Sequence, residues 1–335
     1  MLRRRSSEAT PLDGVDVVLA DLDGVVYAGP SAIPHAVEAL NAASSAARVG
    51  YITNNASRTD ASVAAHLNEL GLHVEARDVV TSPQAAMRLL VDLAPAGSAV
   101  LVVGGDGLVT EVEKAGFRVT RSAEDSPAAV IQGFAPEVGW LQLAEASFAL
   151  ADSDIPWVAT NTDWTIPQAR GIAPGNGTLV SAVHTAVGRL PVVAGKPETP
   201  IFEEATSRFG ASSPLFIGDR LDTDILGANR AGIRSVLVLT GIDRAKQALA
   251  APADQRPTFI LGDLRELSLP YPIVDADGDR GSATVRGAKV RLRGDAVEIV
   301  RSGDDPLDLL RAACAVIWNS GRAIYGLEVP EELYR

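Results

Sequence analysis

Short apolar runs alternate with amphipathic stretches through the first third of the chain, as VDVVLAD, PHAVEALNAAS, RVGYITN and TDASVAAHLNELG. Each apolar run suits a strand and each following stretch a helix lying over it, so the alternation predicts a parallel sheet with helices on its faces. Pro34 suits the first turn of one helix and Gly71 the stop after another. A second alternating block begins at SAVLVVGG, runs through AAVIQGF and IPWVATN, and ends near Arg189. The first pattern then resumes with PVVAGKP, a helix expected from Pro197 to about Phe209, the strand PLFIGD, the helix DILGANRAG and the strand SVLVLTG.

The expected fold is therefore α/β, with a Rossmann-like parallel-sheet core built from residues 13–85 and 189–265 and interrupted by an inserted α/β domain at 86–188. Beyond it, residues 275–335 read as a small C-terminal α+β unit: DADGDRGSATVRGAKVRLRGDAVEIVR as a hairpin-like pair of strands, PLDLLRAACAVIWNSG as an amphipathic helix. The 335 residues exceed one ordinary domain, which fits two compact bodies and an appendage. Residues 1–12 begin basic, but Asp13 and Asp16 follow before any apolar signal core, so they read as a cytoplasmic leader.

Composition narrows the function. With 47% apolar and 21% charged residues and no apolar run near the roughly 18 that span a membrane, the sequence predicts a soluble chain with no membrane insertion. A net charge of −12 argues against a nucleic-acid surface, so any bound anion has to be held locally. Cys314 is the only cysteine, and its setting AACAVIW suits a buried thiol rather than a nucleophile. Of 30 basic residues only Lys114, Lys196, Lys246 and Lys289 are lysine, which gives weight to a lysine beside a motif.

Four polar clusters fall where core strands end: DLDGVV at Asp21, TNN at Thr53, GKP at Lys196 and GDRLDTDI at Asp219. Open parallel sheets bind ligands beyond the carboxyl ends of their strands, so separate clusters of this kind can converge on one site. Asp21 and Asp23, two apart, share a face while Leu22 points away, and Gly24 permits a turn. One carboxylate can attack phosphorus while the other protonates the leaving oxygen and then deprotonates water, although turns and calcium loops also use DxDG. Two carboxylates facing an anionic substrate need a hard cation, for which Mg2+ suits, and Asp219 supplies a further carboxylate. Asp222, Thr223 or Asp224 could instead cap the following helix. Thr53 with Asn54 and Asn55 offers a hydroxyl and N–H groups at a strand-to-helix turn, or simply a capped turn. Lys196 could neutralise charge on a phosphoryl group, against the ordinary reading of a surface lysine.

In this order, and with a large insertion between the second and third, DLDGVVY, YITNN, GKP and IGDRLDTDI closely resemble the haloacid dehalogenase superfamily, and the place of the insertion resembles its C2-capped, type IIA phosphatases. The resemblance spans roughly the first 265 residues. It implies that Asp21 is the nucleophile, Asp23 the general acid and base, and Thr53 with Lys196 the phosphoryl-binding pair, with Asn54 and Asn55 helping to seat substrate and nucleophile. It also implies magnesium held by the Asp21 carboxylate, the Asp23 carbonyl and Asp219, with Asp224 behind them orienting Lys196 or a metal-bound water. The insertion becomes a cap, in which ATNTDWTIPQARGIAPGNGTLV, with Asn161, Asp163, Pro167, Gly175 and Gly177, resembles the stretch that closes over substrate. Those glycines could equally be turn residues. Ile166 stands where pyridoxal phosphate phosphatases carry a histidine, which argues against a vitamin B6 substrate.

None of His35, His66, His73 or His184 has metal-ligand spacing, so surface or helix-packing roles are expected. The tail and the arginine- and alanine-rich composition resemble actinobacterial glycerol 3-phosphate phosphatases. The tail's strand-strand-helix pattern is also faintly similar to an acetyltransferase piece, without a glycine-rich acyl-CoA loop. The acidic run at Asp275 to Asp279 lacks the later glutamate of a calcium loop and reads as a solvated linker. The expectation is a phosphomonoesterase for a small phosphorylated metabolite, first glycerol 3-phosphate, then phosphoglycolate or another sugar phosphate. It includes a homodimer, as caps of this branch often mediate. A phosphoryl-accepting regulatory protein is the competing class, and Asp23 discriminates, since a long-lived switch needs no acid and base beside its nucleophile.

Overall fold

The structure is a computed structural model that describes residues 9–151, 154–168, 170–277 and 281–334. Most of the leader, residues 1–8, lies outside the described residues, as does the stretch 278–280 of the acidic run. The chain divides into two compact units, one comprising Met1–Ala28, Ala32–Val49 and Ser213–Arg335, the other Gly29–Ser31 and Gly50–Ser212.

In the first unit the strands Val17–Ala20, Pro214–Gly218, Arg234–Val238 and Phe259–Leu261 run parallel in that spatial order. Val17 to Ala20, Leu215 to Gly218 and Ser235 to Val238 are all buried, as continuous apolar runs in a sheet covered on both faces should be. The register pairs Ala20 with Ile217 and Gly218 with Leu237, so the three strands end level and their next residues share one edge. Asp21 and Asp219 are the residues that step off that edge.

The tail of this unit differs from the expected pair of strands. Val274–Ala276, Ser282–Val285, Ala288–Arg293 and Ala296–Arg301 form a four-stranded antiparallel sheet. The apparent single hairpin is divided by two tight turns, where Arg286 adopts φ 46° and Gly294 φ 59°. A fourth strand is drawn from the run read as linker, whose Val274 to Ala276 side chains stay exposed. Over the sheet lies the helix Pro306–Ser320, its start capped by the Asp305 side chain and its end by Gly321 in the left-handed region. Leu309, Ala312, Ala313, Val316 and Ile317 are buried, and they join Leu221, Ile225, Leu237, Leu249 and Ile260 in one apolar cluster. Polar contacts fasten the same joint. Buried Arg311 donates twice to the Ile260 carbonyl at 3.1 and 2.7 Å, pairs with Asp308 and Glu266, and stacks on Tyr271. The Trp318 indole donates to the Ala248 carbonyl at 3.1 Å. Cys314 is free and buried, which pushes its thiol pKa well above the usual range and leaves it inert.

The second unit is built on a five-stranded parallel sheet in the order Val192–Val193, Trp157–Ala159, Ala129–Gln132, Ala99–Val103 and Arg118–Thr120. Its helices include Trp140–Leu150 and Asn176–Val187, which pack together against a buried cluster of Leu101, Val130, Trp157 and Val180. On the outer side of Trp140–Leu150, Trp140, Leu141 and Phe148 are exposed. The unit also carries the end of the strand Arg48–Thr53 paired in parallel with Val79–Thr81, and the packed helices Ser82–Leu93 and Pro200–Phe209. This last helix starts at Pro200 rather than Pro197, because Lys196 to Thr199 make a turn in which Glu198 N donates back to the Gly195 carbonyl at 3.0 Å. Proline tolerates the first helical turn, and the second of two prolines takes that place.

Candidate active site

An acidic cluster lies in the first unit. Asp21 follows the strand Val17–Ala20, and its N–H extends the ladder to the Ile217 carbonyl at 2.8 Å. Leu22 is buried and Asp23 exposed, so the two aspartates flank a residue anchored in the core, as their spacing predicts. The Leu22 carbonyl accepts N–H groups from Val26 and Tyr27, which turns the chain tightly, and Gly24 sits in that turn at φ 81°. Thr240 Oγ1 donates to the Gly24 carbonyl at 2.7 Å and ties the turn to the next strand end.

Asp219 and Asp224 are buried, and one oxygen of each lies with one of Asp21 in a group whose members are all within 4.8 Å of one another. Main chain aims them. Asp219 Oδ2 accepts the Ile242 N–H at 2.7 Å, while Asp224 Oδ2 accepts the N–H groups of Asp219 and Arg220 at 3.0 and 3.1 Å. Asp224 therefore does not cap the next helix from outside. It lies within a π-helical turn, Leu221–Ile225, that precedes the helix Leu226–Arg230, and the wider turn carries its carboxylate back over the strand end. Glycines make the room. A Cβ on Gly24 would lie 2.2 Å from Asp219 Oδ2, one on Gly241 1.9 Å from the same atom, and one on Gly218 2.3 Å from Asp224 Cβ.

Three carboxylates this close repel one another unless a cation or proton lies among them. An all-oxygen donor set in a cradle kept open by glycines fits a hard divalent ion such as magnesium. Asp243, which the sequence pattern gave no reason to select, completes the support. It accepts the Leu221 N–H at 2.7 Å and its own N–H donates to the Asp219 carbonyl at 3.0 Å. Burial raises its carboxyl pKa, with the charges of Asp222 and Asp224 adding to the rise against the Leu221 hydrogen bond. Its only sequence signal is position, in the TGID that follows the strand Arg234–Val238.

A second polar cluster, around Lys196, lies in the second unit. Thr53 ends its strand buried, and its Oγ1 accepts the Asn55 N–H at 3.1 Å. The Asn55 side chain is turned to Ser57, accepting from its N–H at 2.9 Å and its hydroxyl at 2.7 Å. Lys196 is only 3% exposed, which overturns the reading of a surface lysine. Asn54 joins these segments. Its Oδ1 accepts the Lys196 N–H at 2.8 Å, and its Nδ2 donates to the Lys196 carbonyl at 3.1 Å and to both oxygens of Asp163 at 3.2 Å. Asn161, also buried, donates to the Asn54 carbonyl at 2.7 Å and accepts the Asp163 N–H at 3.2 Å.

Of the insertion residues singled out, Asn161 and Asp163 thus meet the TNN and GKP segments. Pro167 lies in the antiparallel hairpin of Thr165–Gln168 and Gly171–Pro174, opposite Ile172. Gly175 and Gly177 are neither loose turn residues nor left-handed. A Cβ on Gly175 would lie 2.2 Å from the Asp163 carbonyl oxygen, and one on Gly177 2.3 Å from that of Thr162, so glycine is needed for backbone to pass backbone. Among the described residues no histidine joins a metal-binding group. His35 and His73 are exposed, His66 faces Glu69, and His184 meets the Arg189 carbonyl.

Comparison with known proteins adds independent observations. A model of haloacid dehalogenase-like hydrolases matches residues 18–118, a second of the same superfamily matches 193–267, and one for a GCN5-related N-acetyltransferase-like domain matches 282–327. The chain is 42% identical to the D-glycerol 3-phosphate phosphatase of Mycobacterium tuberculosis (strain ATCC 25618 / H37Rv), over 92% of this chain and 87% of the relative. It is 38% identical to Chronophin of Homo sapiens over 70% of this chain and 84% of that protein. A crystal structure of a Mycobacterium tuberculosis glycerol phosphate phosphatase in complex with magnesium superposes with a TM-score of 0.86 at 40% identity, covering 96% of this chain and 95% of the other.

Proposed function

Since this chain belongs to the haloacid dehalogenase-like hydrolases, we propose that it is a magnesium-dependent phosphomonoesterase that works through an aspartyl-phosphate on Asp21 and whose substrate is glycerol 3-phosphate. The observation that carries the mechanism is the buried group of Asp21, Asp219 and Asp224 in its glycine cradle. The substrate rests on the similarity, over nearly the whole chain, to the Mycobacterium tuberculosis D-glycerol 3-phosphate phosphatase and to the glycerol phosphate phosphatase structure from that organism.

An Asp21 oxygen attacks phosphorus, the bond from phosphorus to the ester oxygen breaks, and Asp23 gives that oxygen its proton, releasing the alcohol. Asp23 then takes a proton from water as the water oxygen attacks the acyl phosphate. The bond from phosphorus to Asp21 breaks, releasing phosphate and restoring both carboxylates. Asp21, the Asp23 carbonyl and Asp219 would hold magnesium, which would offset the charge gathered between carboxylates and phosphoryl oxygens. Asp224, through its bonds to the Asp219 and Arg220 main chain, keeps Asp219 aimed. Thr53 and Lys196 bind the phosphoryl oxygens.

Residues 86–188 form the cap that selects the leaving group, with the Asn161-to-Gly177 stretch facing it. The catalytic core comprises 13–85 and 189–265, and 275–335 is a structural appendage. A second copy of the chain covers the exposed Trp140, Leu141 and Phe148 of the cap, giving a homodimer. A cytoplasmic setting fits a small phosphorylated metabolite as substrate and a single buried cysteine. No helix among the described residues is long and apolar enough to cross a membrane.

The test is a panel of phosphate esters with purified protein and magnesium. Glycerol 3-phosphate should give the highest kcat/KM. A higher value for phosphoglycolate or a sugar phosphate would reject the substrate, and no hydrolysis of any ester would reject the reading.

A further inference from the structure

A primary amide has two N–H donors and one strong acceptor oxygen, and in Asn54 every one of these is engaged. Oδ1 takes the Lys196 N–H, and Nδ2 divides between the Lys196 carbonyl and the Asp163 carboxylate. One side chain thus grips both main-chain groups of Lys196 much as a neighbouring strand would, and it holds a residue of the insertion besides. Its own backbone carbonyl accepts from Ser82 Oγ and Asn161 Nδ2, both at 2.7 Å, so the grip is itself anchored. Gly195 is part of the fit, since a Cβ there would lie 2.6 Å from Asn54 Oδ1 and 2.6 Å from the Thr160 carbonyl oxygen. No donor remains for a phosphoryl oxygen, which sets Asn54 apart from the substrate-seating role its place in TNN suggests.

We infer that Asn54 is a positioning residue: its amide fixes the Lys196 main chain and the Asp163 carboxylate in one arrangement, so that the phosphoryl-binding lysine is set when the 161–163 loop is docked. The inference rests on the phosphatase reading for the role of Lys196, while the joint itself is a matter of geometry. Asn54→Asp keeps an acceptor for the Lys196 N–H, but replaces the donor by a carboxylate facing Asp163. Adding Asp163→Asn returns a donor to the pair from the opposite side, so the two changes have to be non-additive if the contact matters.

The experiment has two arms. With magnesium and glycerol 3-phosphate, Asn54→Asp should lower kcat/KM by at least about tenfold, given what small misplacement of a binding group costs. The Asn54→Asp, Asp163→Asn double variant should recover most of that loss. In the second arm, acetylation by a water-soluble acylating reagent is followed by mass spectrometry without substrate. Lys196, 3% exposed in the wild type, should react several-fold faster in Asn54→Ala and in Asp163→Leu, which is similar in shape but has no acceptor for the Asn54 amide, with the more accessible Lys114, Lys246 and Lys289 unchanged as references. Wild-type kcat/KM in folded Asn54→Asp, a double variant no better than that single variant, or an unaltered Lys196 rate would each overturn the inference. A wild-type protein that hydrolyses no ester would overturn the phosphatase reading instead, and the lysine arm would still decide the joint.

Discussion

The acidic cluster around Asp219 and the polar cluster around Lys196 are held by opposite means. Asp219 and Asp224 are aimed by backbone N–H groups, three of them from residues 219, 220 and 242, and glycines clear the space around them. Lys196 is aimed by side-chain amides, with Asn54 reaching across 142 positions of sequence to its main chain and 109 to Asp163. Backbone donors come with the main chain and survive any side-chain exchange short of proline, so the acidic cluster is sensitive chiefly at Gly24, Gly218 and Gly241, where a Cβ would meet Asp219 or Asp224. In the Lys196 cluster one amide, that of Asn54, holds both main-chain groups of the lysine, so its geometry can be altered without changing its charge.

The sharpest break in this comparison is Asp21→Asn, which keeps the shape of the acidic cluster and removes the proposed nucleophile. Turnover should fall by at least about a thousandfold, with the melting temperature nearly unchanged, since losing one essential group of a concerted set costs that order. Asp219→Ala comes next. Losing a residue behind the ligands costs ten to a hundredfold in many metal sites, so losing a ligand should cost more than about a hundredfold. Added magnesium should restore part of it, and full activity in excess chelator would count against the metal assignment. In the Lys196 cluster, Lys196→Arg keeps the charge but places a wider fork in a buried slot, and kcat/KM should drop about tenfold, or about 1.4 kcal/mol. An unchanged value would place Lys196 outside the site.

The smallest effect on chemistry belongs to the tail. Truncation after Leu269 uncovers Leu237, Leu249 and Ile260, and it should lower the melting temperature by several degrees or reduce solubility while leaving the ranking of substrates intact. Arg311→Ala probes the same joint more finely, because Asp308 and Glu266 lose a buried partner, at about 3 kcal/mol of stability. A truncated protein with a different preferred ester would give the tail a share in specificity.

What the sequence disclosed follows the same division. DLDG and GDRLDTD lie within a few residues of a strand end, and strand ends are legible from apolar runs, so Asp21, Asp219 and Asp224, whose carboxylates the fold brings together, stood out in the sequence. Asp243 could not, because its function is to receive the Leu221 N–H 22 positions away, and a loop aspartate leaves no local mark. Nor could the commitment of Asn54, since TNN reads equally as a turn, an anion site or a clamp until Lys196 and Asp163 are folded beside it. The tail was misread for a local reason. Arg286 occupies a turn at positive φ where the usual glycine signal stands one residue later, so three strands looked like two.

The central claim is covalent transfer to Asp21, and it is tested most directly by trapping. Asp23→Asn leaves the nucleophile in place but removes the base that activates water, and p-nitrophenyl phosphate needs no proton on its leaving oxygen. Mixed with that ester and magnesium, then quenched in acid, the variant should release nitrophenol in a burst of one equivalent and carry one phosphoryl group on the peptide containing Asp21. Steady release of both products with no phosphoryl group on that peptide would contradict it.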